Sequence, residues 1–556
     1  MKHEEQSGKT MENDDHGMTR GQFMRRAGAG ALAVSAGALL AGCGTSSTRF
    51  SSTSKGTSVG SASTLGGTPK YGGAFQVGMI TSGPSETINP ASAATWPDLA
   101  RVVQLYDMLF TLSPDLTIVP GLATSASANK DATVWTIQLR DGVVFHDGSP
   151  FTADDVVWTI KGWSSPNHFA YGLYNGMIDF KGVKKRGRLT VEVPLVIPVA
   201  EFPAMFFGWN QGMVKNGSSV KDISRTGMGT GPFKLKSFTP GVQSVFVRNE
   251  HYWQSGKPYV DSITINTSFN DPAARVNALQ SGQINVAPLL PYTNALQLSG
   301  SNQAQVLASE GPNVFYFPMR VDTGPFADPR VRLALKLIAD RPALVNGTFS
   351  GLGAVANDMF GHGLPNYAES LPQRAQDIEQ AKSLLKQAGQ SDLAFTLPTC
   401  EAVPGFNEMS TQFASQAAQA GVKIKVDVQS TSTYYTIAGG FTRRPIGVQA
   451  FQTFPSLTYA YWQNYIPEAE INETHWGSSH PAANKLLAQT MGETNAARAK
   501  EMWLEVQRLQ YNQGGDLMWG ESQYIDAAAP NVRGLKTTPV AYLNYFNFND
   551  GWVAST

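Results

Sequence analysis

Apolar and polar positions alternate in some stretches of the chain and recur at helical spacing in others. Residues 134–139, VWTIQL, alternate and predict a half-buried strand. Farther on, Thr152 lies just before an acidic first turn and an apolar run, which predicts a helix whose cap is the Thr152 hydroxyl. The pattern therefore mixes strands and helices closely along the chain.

The second half of the chain contains a strand–helix–strand pattern. An apolar stripe after Pro329 predicts one helix, and Asp377 is expected to cap another. Residues 393–397 then alternate, 409–420 carry a helical stripe, and 422–428 alternate again. A βαβ unit calls for a parallel sheet with a right-handed crossover, so the predicted fold class is α/β.

The stretch DGVVFHDGSPFTADDVV, residues 141–157, places a histidine among several aspartates and suggests a metal site. Its two Asp-Gly dipeptides, however, are typical of turns, and the aspartates after Thr152 suit the first turn of a helix. His146 is the only imidazole there, so a metal would have to draw its ligands from a strand, a loop and a helix. The sequence favours turns and a helix cap over metal binding.

The amino terminus has the pattern of an export signal. A basic start that includes Arg20 is followed by an apolar run over 27–41. The run ends in LAGC, which resembles the lipobox of bacterial lipoproteins, so residues 1–43 are predicted to be a signal peptide with lipid attachment at Cys43. Residues 44–67 are rich in Ser, Thr and Gly and are expected to form a flexible tether.

Two points about export stay open at this stage. Met1 and Met18 are both candidate starts, since acidic residues precede Met18. The segment that begins at Thr19 resembles a twin-arginine motif, but Gly21 replaces its second arginine, so both the Sec and the twin-arginine routes remain alternatives.

Charge and cysteine content exclude two classes of protein. The 556 residues carry 43 basic and 43 acidic side chains, and no cluster of Lys and Arg is interleaved with aromatics, so nucleic acid is not an expected partner. The only cysteines are Cys43 and Cys400, which excludes a disulfide framework.

Several segments together resemble the family 5 extracellular solute-binding proteins, the peptide/nickel-type receptors of ABC importers. The similarity is most specific over residues 118–162, from IVPGLATSA to VVWTIKG. It continues, in order, through YDMLFTLSPD, GTGPFKLKSFTPG, RNEHYW, ALQSGQINVA and FADPRVRLALKLIADR.

The resemblance implies a fold and a set of partners. The fold is a two-lobed, periplasmic-binding-protein-like (type II) α/β structure with a hinge. Lobe I comprises 68–315 plus 511–556, with an extra subdomain inserted at about 110–228, and lobe II comprises 316–510. The implied protein is a monomer, anchored by lipid to the outer face of the cell membrane, that works with an ABC permease and its ATPase subunits.

The sequence offers no set of catalytic residues and no metal or cofactor site. GTSVG at 56–60 matches a hydrolase motif but lacks the strand and helix that the motif requires. The glycine-rich segment 351–356 lacks the context of a dinucleotide site and is predicted to be a loop. His475 and His480 are expected in solvated loops, and Cys400 is expected to be a small buried apolar residue. We therefore expect no enzyme.

Binding has better support, because aromatic residues crowd the segment from about 434 to 476 without a clean period. Such a pattern is expected of loops that line a cleft, although part of the set is expected to pack in the core. The residues predicted to bind the ligand are Tyr435, Phe451, Gln452, Thr453, Phe454, Trp462, Trp476 and Trp519.

The resemblance also bears on the charge of the ligand. In peptide receptors of this family the segment that matches 448–456 hydrogen-bonds the ligand backbone, and an aspartate there holds its α-ammonium group. Thr453 occupies that position here, and a hydroxyl cannot replace a carboxylate as the partner of a buried cation. We therefore expect a ligand that does not depend on a free amine, unless a carboxylate such as Glu468, Glu470 or Glu473 takes over.

Three functions follow as alternatives. The first is a receptor for di- or oligopeptides, or for a non-peptide solute such as a saccharide or an opine-like compound. The second is a hydrolase tethered to the cell surface, which would need a nucleophile and a base in contact. The third is a peptide-holding chaperone or adhesin on the same scaffold.

Overall fold

The computed structural model of the chain describes residues 59–554, except for 62, 114–115, 207, 270, 310–312, 436–440, 453–455, 468, 470 and 539–541. Its strands are β1 Ala74–Ile80, β2 Phe110–Leu112, β3 Ile118–Pro120, β4 Ala123–Ala128, β5 Val134–Leu139, β6 Lys184–Gly187, β7 Thr190–Pro194, β8 Phe233–Thr239, β9 Gln243–Arg248, β10 Ser262–Phe269, β11 Val286–Ala287, β12 Gln305–Ala308, β13 Asn313–Pro318, β14 Gly353–Val355, β15 Ala394–Thr399, β16 Lys423–Val428, β17 Gln449–Phe451, β18 Asp516–Ser522, β19 Ile525–Ala528, β20 Val532–Arg533 and β21 Trp552–Val553.

The helices that alternate with these strands are α1 Trp96–Leu105, α2 Ala153–Gly162, α3 Tyr171–Tyr174, α4 Phe202–Met205, α5 Val220–Thr226, α6 Pro272–Gln280, α7 Tyr292–Ser299, α8 Pro329–Ile338, α9 Arg341–Phe349, α10 Ile378–Gln387, α11 Phe406–Ala418, α12 Thr431–Tyr435, α13 Leu457–Tyr465, α14 Trp476–Ser479, α15 Pro481–Gly492 and α16 Ala496–Gln513. Short 3₁₀ turns lie at Trp209–Gln211, Gly324–Ala327 and Phe441–Arg443, and a left-handed turn lies at Leu543–Phe546.

Lobe I is built on a mixed seven-stranded sheet in the order β12-β19-β11-β1-β10-β9-β8. The central strand β1 is parallel to β10 and β11, whereas the outer pairs are antiparallel. Phe75 and Val77 of β1 lie on the same face of the strand and have no exposed surface, so this face packs in the core of the lobe.

The inserted subdomain interrupts lobe I between β1 and β8. Its four antiparallel strands lie in the order β4-β5-β7-β6, and α2 packs against β6 and β7. The predicted strand over 134–139 is β5. The predicted helix cap at Thr152 is also confirmed, because Thr152 and Asp155 form a capping box at the start of α2.

Lobe II contains an antiparallel sheet in the order β14-β18-β13-β17 and a parallel pair, β15 and β16, joined by α11. The predicted βαβ unit is therefore confirmed. So are the helices after Pro329 and at Asp377, whose carboxylate accepts a hydrogen bond from the backbone N–H of Gln380. Residues 351–356, predicted to be a loop, instead contribute the strand β14, which pairs with β18.

The chain passes between the two main sheets twice. The first passage connects β12 to β13, and the second connects β18 to β19 through residues 523–524. The lobe boundary expected at 315/316 falls inside β13, and the one expected at 510/511 falls inside α16. The first passage therefore lies a few residues before the expected boundary, whereas the second lies more than ten residues after the boundary expected at 510/511.

The amino-terminal end of the described chain is docked on lobe I. Ser61 pairs with Leu307 of the edge strand β12, and the Thr64 N–H donates to the Leu535 carbonyl over 2.9 Å. Gly60 allows this approach, because a β-carbon there would lie 2.6 Å from the Val306 carbonyl oxygen. The predicted tether over 44–67 is thus wrong for its last residues, which are hydrogen-bonded to the folded domain.

Candidate functional site

The inserted subdomain and lobe II touch each other directly. The Trp462 indole Nε1–H donates to the Leu173 carbonyl over 2.7 Å, and the Thr458 hydroxyl donates to Glu201 Oε2 over 2.8 Å. A backbone hydrogen bond also joins the subdomain to lobe II, because the Ala200 N–H donates to the Met491 carbonyl over 2.8 Å. The two lobes therefore contact each other in this structure.

Helix α13 supplies most of these contacts from lobe II. Ser456 caps it by accepting a hydrogen bond from the Tyr459 N–H, so its first turn is held at the end of the segment that follows β17. All its residues except Gln463 are buried. The helix lies between the lobe II sheet and the inserted subdomain and touches both.

The lobe II sheet turns one row of side chains toward this helix. Val314 lies opposite Phe451 on one neighbouring strand and opposite Glu521 on the other, so these three residues share a face. Tyr316 stacks on Phe451 with ring centroids 5.8 Å apart. These four side chains form an aromatic and acidic floor on one face of the lobe II sheet.

Four of the residues predicted to bind the ligand lie around this floor. Phe451 ends β17, Gln452 follows it directly, and Trp462 bridges to the inserted subdomain. Tyr435 packs against the rings of Tyr434 and Phe441 and is 6% exposed. Gln452 is 2% exposed, and neither its Nε2 nor its Oε1 has a hydrogen-bond partner among the described residues.

Two predicted binding residues pack within lobe II. Trp519 stacks on Phe349 at 5.0 Å, and Trp476 contacts the ring of Tyr465 at 5.4 Å. Both indoles are fully buried, and the aromatic rings that they contact belong to lobe II as well. Thr453, Phe454 and the predicted lipid-attachment residue Cys43 lie outside the described residues.

Three charged residues at the site were not predicted from the sequence. Glu201 reaches the site from the inserted subdomain, and His362 Nδ1 lies 2.9 Å from Glu521 Oε2. The Glu521 carboxylate raises the pKa of His362 to about 9, so at neutral pH the two form an ion pair. No local motif marks these positions, because each acquires its role only through the fold.

Glu473, suggested from the sequence as a possible anion for a ligand, lies beneath the floor. Its carboxylate accepts hydrogen bonds from the Tyr316 hydroxyl over 3.3 Å and from the Gln449 amide over 3.4 Å. Burial, together with the nearby Asp516, raises the pKa of Glu473 well above its usual range. Burial therefore favours the protonated form of Glu473 and makes it a poor anion for a ligand.

The stretch around His146 is structural. The Gly229 N–H donates to Nδ1 over 3.3 Å, and Nε2 lies 3.1 Å from the Gly231 carbonyl oxygen, which fixes a neutral tautomer. Asp147 accepts a hydrogen bond from the backbone N–H of Ser149 and pairs with Lys215. In the part of the chain that the structure describes, no three His, Cys, Asp or Glu side chains are arranged as metal ligands.

His475 and His480, expected in solvated loops, are partly buried. His475 Nδ1 lies 3.0 Å from Asp322, and His480 Nδ1 lies 3.1 Å from the Trp476 carbonyl oxygen. Cys400 is fully buried, as predicted. None of the helices over the described ranges is both long and apolar enough to cross a membrane.

Comparison with known proteins agrees with this architecture. The family model for bacterial extracellular solute-binding proteins, family 5, matches residues 117–498. The glutathione-binding protein GsiB of Salmonella typhimurium is 30% identical over 461 residues, which cover 79% of this chain and 86% of that protein.

Two solved structures are similar in fold. The ABC transporter-associated periplasmic binding protein DppA from Helicobacter pylori, in complex with the peptide STSA, has a TM-score of 0.76 and 20% identity, and the match covers 87% of this chain and 99% of that one. AgaA from A. tumefaciens R10, in complex with agropinic acid, has a TM-score of 0.75 and 19% identity over the same shares of the two chains. These similarities confirm the predicted two-lobed α/β fold.

The match to the family model extends over more than half of the chain, and the sheet order, the two passages between sheets and the contact between lobes agree with it. The chain belongs to family 5 of the bacterial extracellular solute-binding proteins and is the extracytoplasmic substrate-binding component of an ABC importer.

Proposed function

We propose that this receptor captures a short peptide or a peptide-like solute between its lobes and delivers it to its permease. The observation that carries the proposal is Gln452, which directly follows β17 in lobe II and whose amide nitrogen and oxygen are both buried and unpartnered among the described residues. A buried amide without partners is costly, and the amide of a ligand backbone offers the missing donor and acceptor together. GsiB, named for a peptide ligand, is consistent with this class of cargo.

We assign the walls of the binding site to Tyr435, Phe451 and Trp462, next to Gln452. Thr453 and Phe454, which continue the segment after Gln452, complete the proposed set of contact residues. Trp476 and Trp519, which pack inside lobe II, are proposed to support these walls from behind without touching the ligand. Aromatic walls with a few placed polar groups are the usual lining of a small-molecule site. A peptide is expected to lie against these rings while its backbone pairs with Gln452.

A non-peptide solute is the second candidate. Thr453 provides a hydroxyl where a receptor for free peptides is expected to carry a carboxylate, and AgaA, with a related fold, was solved with agropinic acid. An opine-like compound or a saccharide would use the same aromatic walls.

The closing movement is proposed to occur about the two passages between the sheets. A ligand closes the lobes only if it binds the closed form better than the open one. The hydrogen bonds from Trp462 to Leu173 and from Thr458 to Glu201 join the two lobes, so they stabilise the closed form. Binding and the lobe contact are therefore expected to be coupled.

The lipid anchor at Cys43, the monomeric state and the absence of enzymatic activity complete the proposal. The pattern of residues 1–43 supports the anchor, which would hold the receptor at the outer face of the cell membrane.

Mass spectrometry of the solute that copurifies with the soluble protein lacking residues 1–43 tests the function. We expect a peptide or a peptide-like compound. Calorimetry then measures the affinity of the protein for that compound. Copurification of an unrelated solute would overturn the peptide assignment, and turnover of a generic ester or peptide substrate would indicate the hydrolase instead.

A further inference from the structure

The Glu201 carboxylate occupies an unusual position at the lobe contact. It lies at the start of α4 in the inserted subdomain and reaches across to the first turn of α13. Its hydrogen bonds go to the hydroxyls of Thr458 and Ser456, the second of which caps α13. Ser456 follows the segment that begins at Gln452, so the carboxylate borders the proposed binding site.

The Glu201 carboxylate is bonded by hydroxyl groups and not by a cation in the part of the chain that the structure describes. Among the described residues, no Lys, Arg or His forms an ion pair with Glu201. Burial raises the pKa of Glu201, and the two hydroxyls offset that effect only in part. The positive end of the α13 dipole also favours an anion there, but a helix terminus supplies only about half a charge.

The other acidic groups near the floor are compensated in different ways. Glu521 is paired with His362, which carries a positive charge at neutral pH. Glu473 is fully enclosed, is bonded to Tyr316 and Gln449, and has a pKa that burial raises well above its usual range. Glu201 differs from both, because it is only half-buried and only hydroxyl groups are bonded to it among the described residues.

We propose that Glu201 holds a cationic group of the bound solute, an ammonium in the case of a peptide, and so determines specificity from the inserted subdomain. This inference rests on the proposed function, because it concerns the ligand of the same site. It reverses the expectation drawn from Thr453, since the anion that the β17–α13 segment lacks comes from the opposite lobe. A charge held in this way also draws the two lobes together, because the ligand then bridges them.

The alternative role for Glu201 is a simple contact between lobes through Thr458. Two variants separate the roles. Glu201→Gln keeps the size of the side chain and its ability to bond Thr458 but removes the charge, whereas Thr458→Val removes the hydroxyl and keeps the charge. A role limited to the lobe contact makes the second variant the more damaging one for every ligand.

The experiment measures the binding of two matched pairs by calorimetry, namely trialanine and glutathione, each with its amine free and acetylated. We expect wild type to prefer the free amine by about tenfold or more, as for a charge-assisted hydrogen bond that is lost. Glu201→Gln is expected to abolish that preference, whereas Thr458→Val weakens both members of a pair alike and keeps it. Acetylation is a change in the ligand, so the wild-type result holds even if a variant folds poorly.

The outcomes are distinct. Equal binding of free and acetylated ligands by wild type overturns the role of Glu201 while leaving peptide cargo in place. A preference for the free amine that persists in Glu201→Gln also overturns the role of Glu201. If none of the four ligands binds, peptide cargo is wrong, and this inference falls with it.

Discussion

Ser309 and Tyr524 hydrogen-bond to each other in both directions where the chain passes between the lobes. The Tyr524 N–H donates to Ser309 Oγ over 2.9 Å, and the Ser309 N–H donates to the Tyr524 carbonyl over 2.9 Å. Both residues are buried, and each belongs to one of the two passages. The pair therefore links the two stretches of chain by which the described strands of one main sheet connect to those of the other.

Ser309→Ala is expected to loosen this link. The substitution leaves the buried Tyr524 N–H without its acceptor, so the free energy of unfolding should fall by about 1 to 2 kcal/mol. Denaturant unfolding of the soluble protein measures the change. Ser301→Ala, which also removes a hydroxyl bonded within lobe I, is the control away from the passages. If both variants lower the free energy of unfolding equally, the position of the Ser309 bond between the two passages gives it no special role in stability.

Trp462→Phe is expected to weaken ligand binding more than it weakens the fold. The ring is retained, but the indole N–H that reaches Leu173 across the lobe contact is lost. Because that bond exists only when the lobes meet, affinity for the copurified solute should fall by about 1 kcal/mol, which is roughly fivefold. Calorimetry gives the affinity, and thermal unfolding of the ligand-free protein gives the stability.

Trp476→Phe is the matched control for this prediction. The Trp476 indole Nε1 is buried and has no hydrogen-bond partner among the described residues. The rings that Trp476 contacts belong to lobe II. The control should leave affinity nearly unchanged. If Trp462→Phe also binds normally, the Leu173 contact contributes nothing to the ligand-bound form.

Stability is expected to fall in acid because of His146. Burial lowers the pKa of His146 to about 4, below the usual 6.5 that applies in the unfolded chain. The unfolded state therefore binds the proton first as the pH falls, and the contribution of neutral His146, on the order of 2 kcal/mol, is present above pH 6.5 and lost towards pH 4. Protonation of Nδ1 would also break its bond from the Gly229 N–H.

Denaturant unfolding between these two pH values tests the effect of His146. His146→Gln should flatten the pH dependence relative to wild type, whereas His251→Gln, at an exposed position, should not. An unchanged slope in the His146 variant would assign the acid sensitivity to other groups.

Cys43→Ser is expected to release the protein from membranes without unfolding it. The predicted acyl chains are the only strong membrane attachment that the sequence offers. Cell fractionation measures the distribution, and circular dichroism of the released protein checks its fold. A variant that stays in the membrane fraction would contradict the lipoprotein assignment.

The sequence predicted those elements whose signal is local. The strand at 134–139, the cap at Thr152 and the βαβ unit around α11 each carry their own period or cap, and each is present. Helix α13 lies in a segment that was expected to be loop. The helix is buried on nearly all sides, so its sequence has no polar face and shows no helical period.

The candidate site was predictable only in part for a related reason. Phe451 and Gln452 belong to a segment that can be recognised by resemblance, but Glu201 is separated from Thr458 by 257 positions. Nothing around Glu201 in the sequence distinguishes it from other acidic residues near a proline. Only the closing of one lobe on the other gives that carboxylate its neighbours.

The docking of the amino-terminal segment has a consequence for handling the protein. Without Ser61 and its neighbours, β12 would present the bare edge of a seven-stranded sheet, and such edges recruit strands from other molecules. The segment over 59–65 thus protects the receptor from self-association. A shortened form that starts at residue 68 is expected to aggregate over time in light-scattering measurements, whereas one that starts at residue 44 should remain monodisperse.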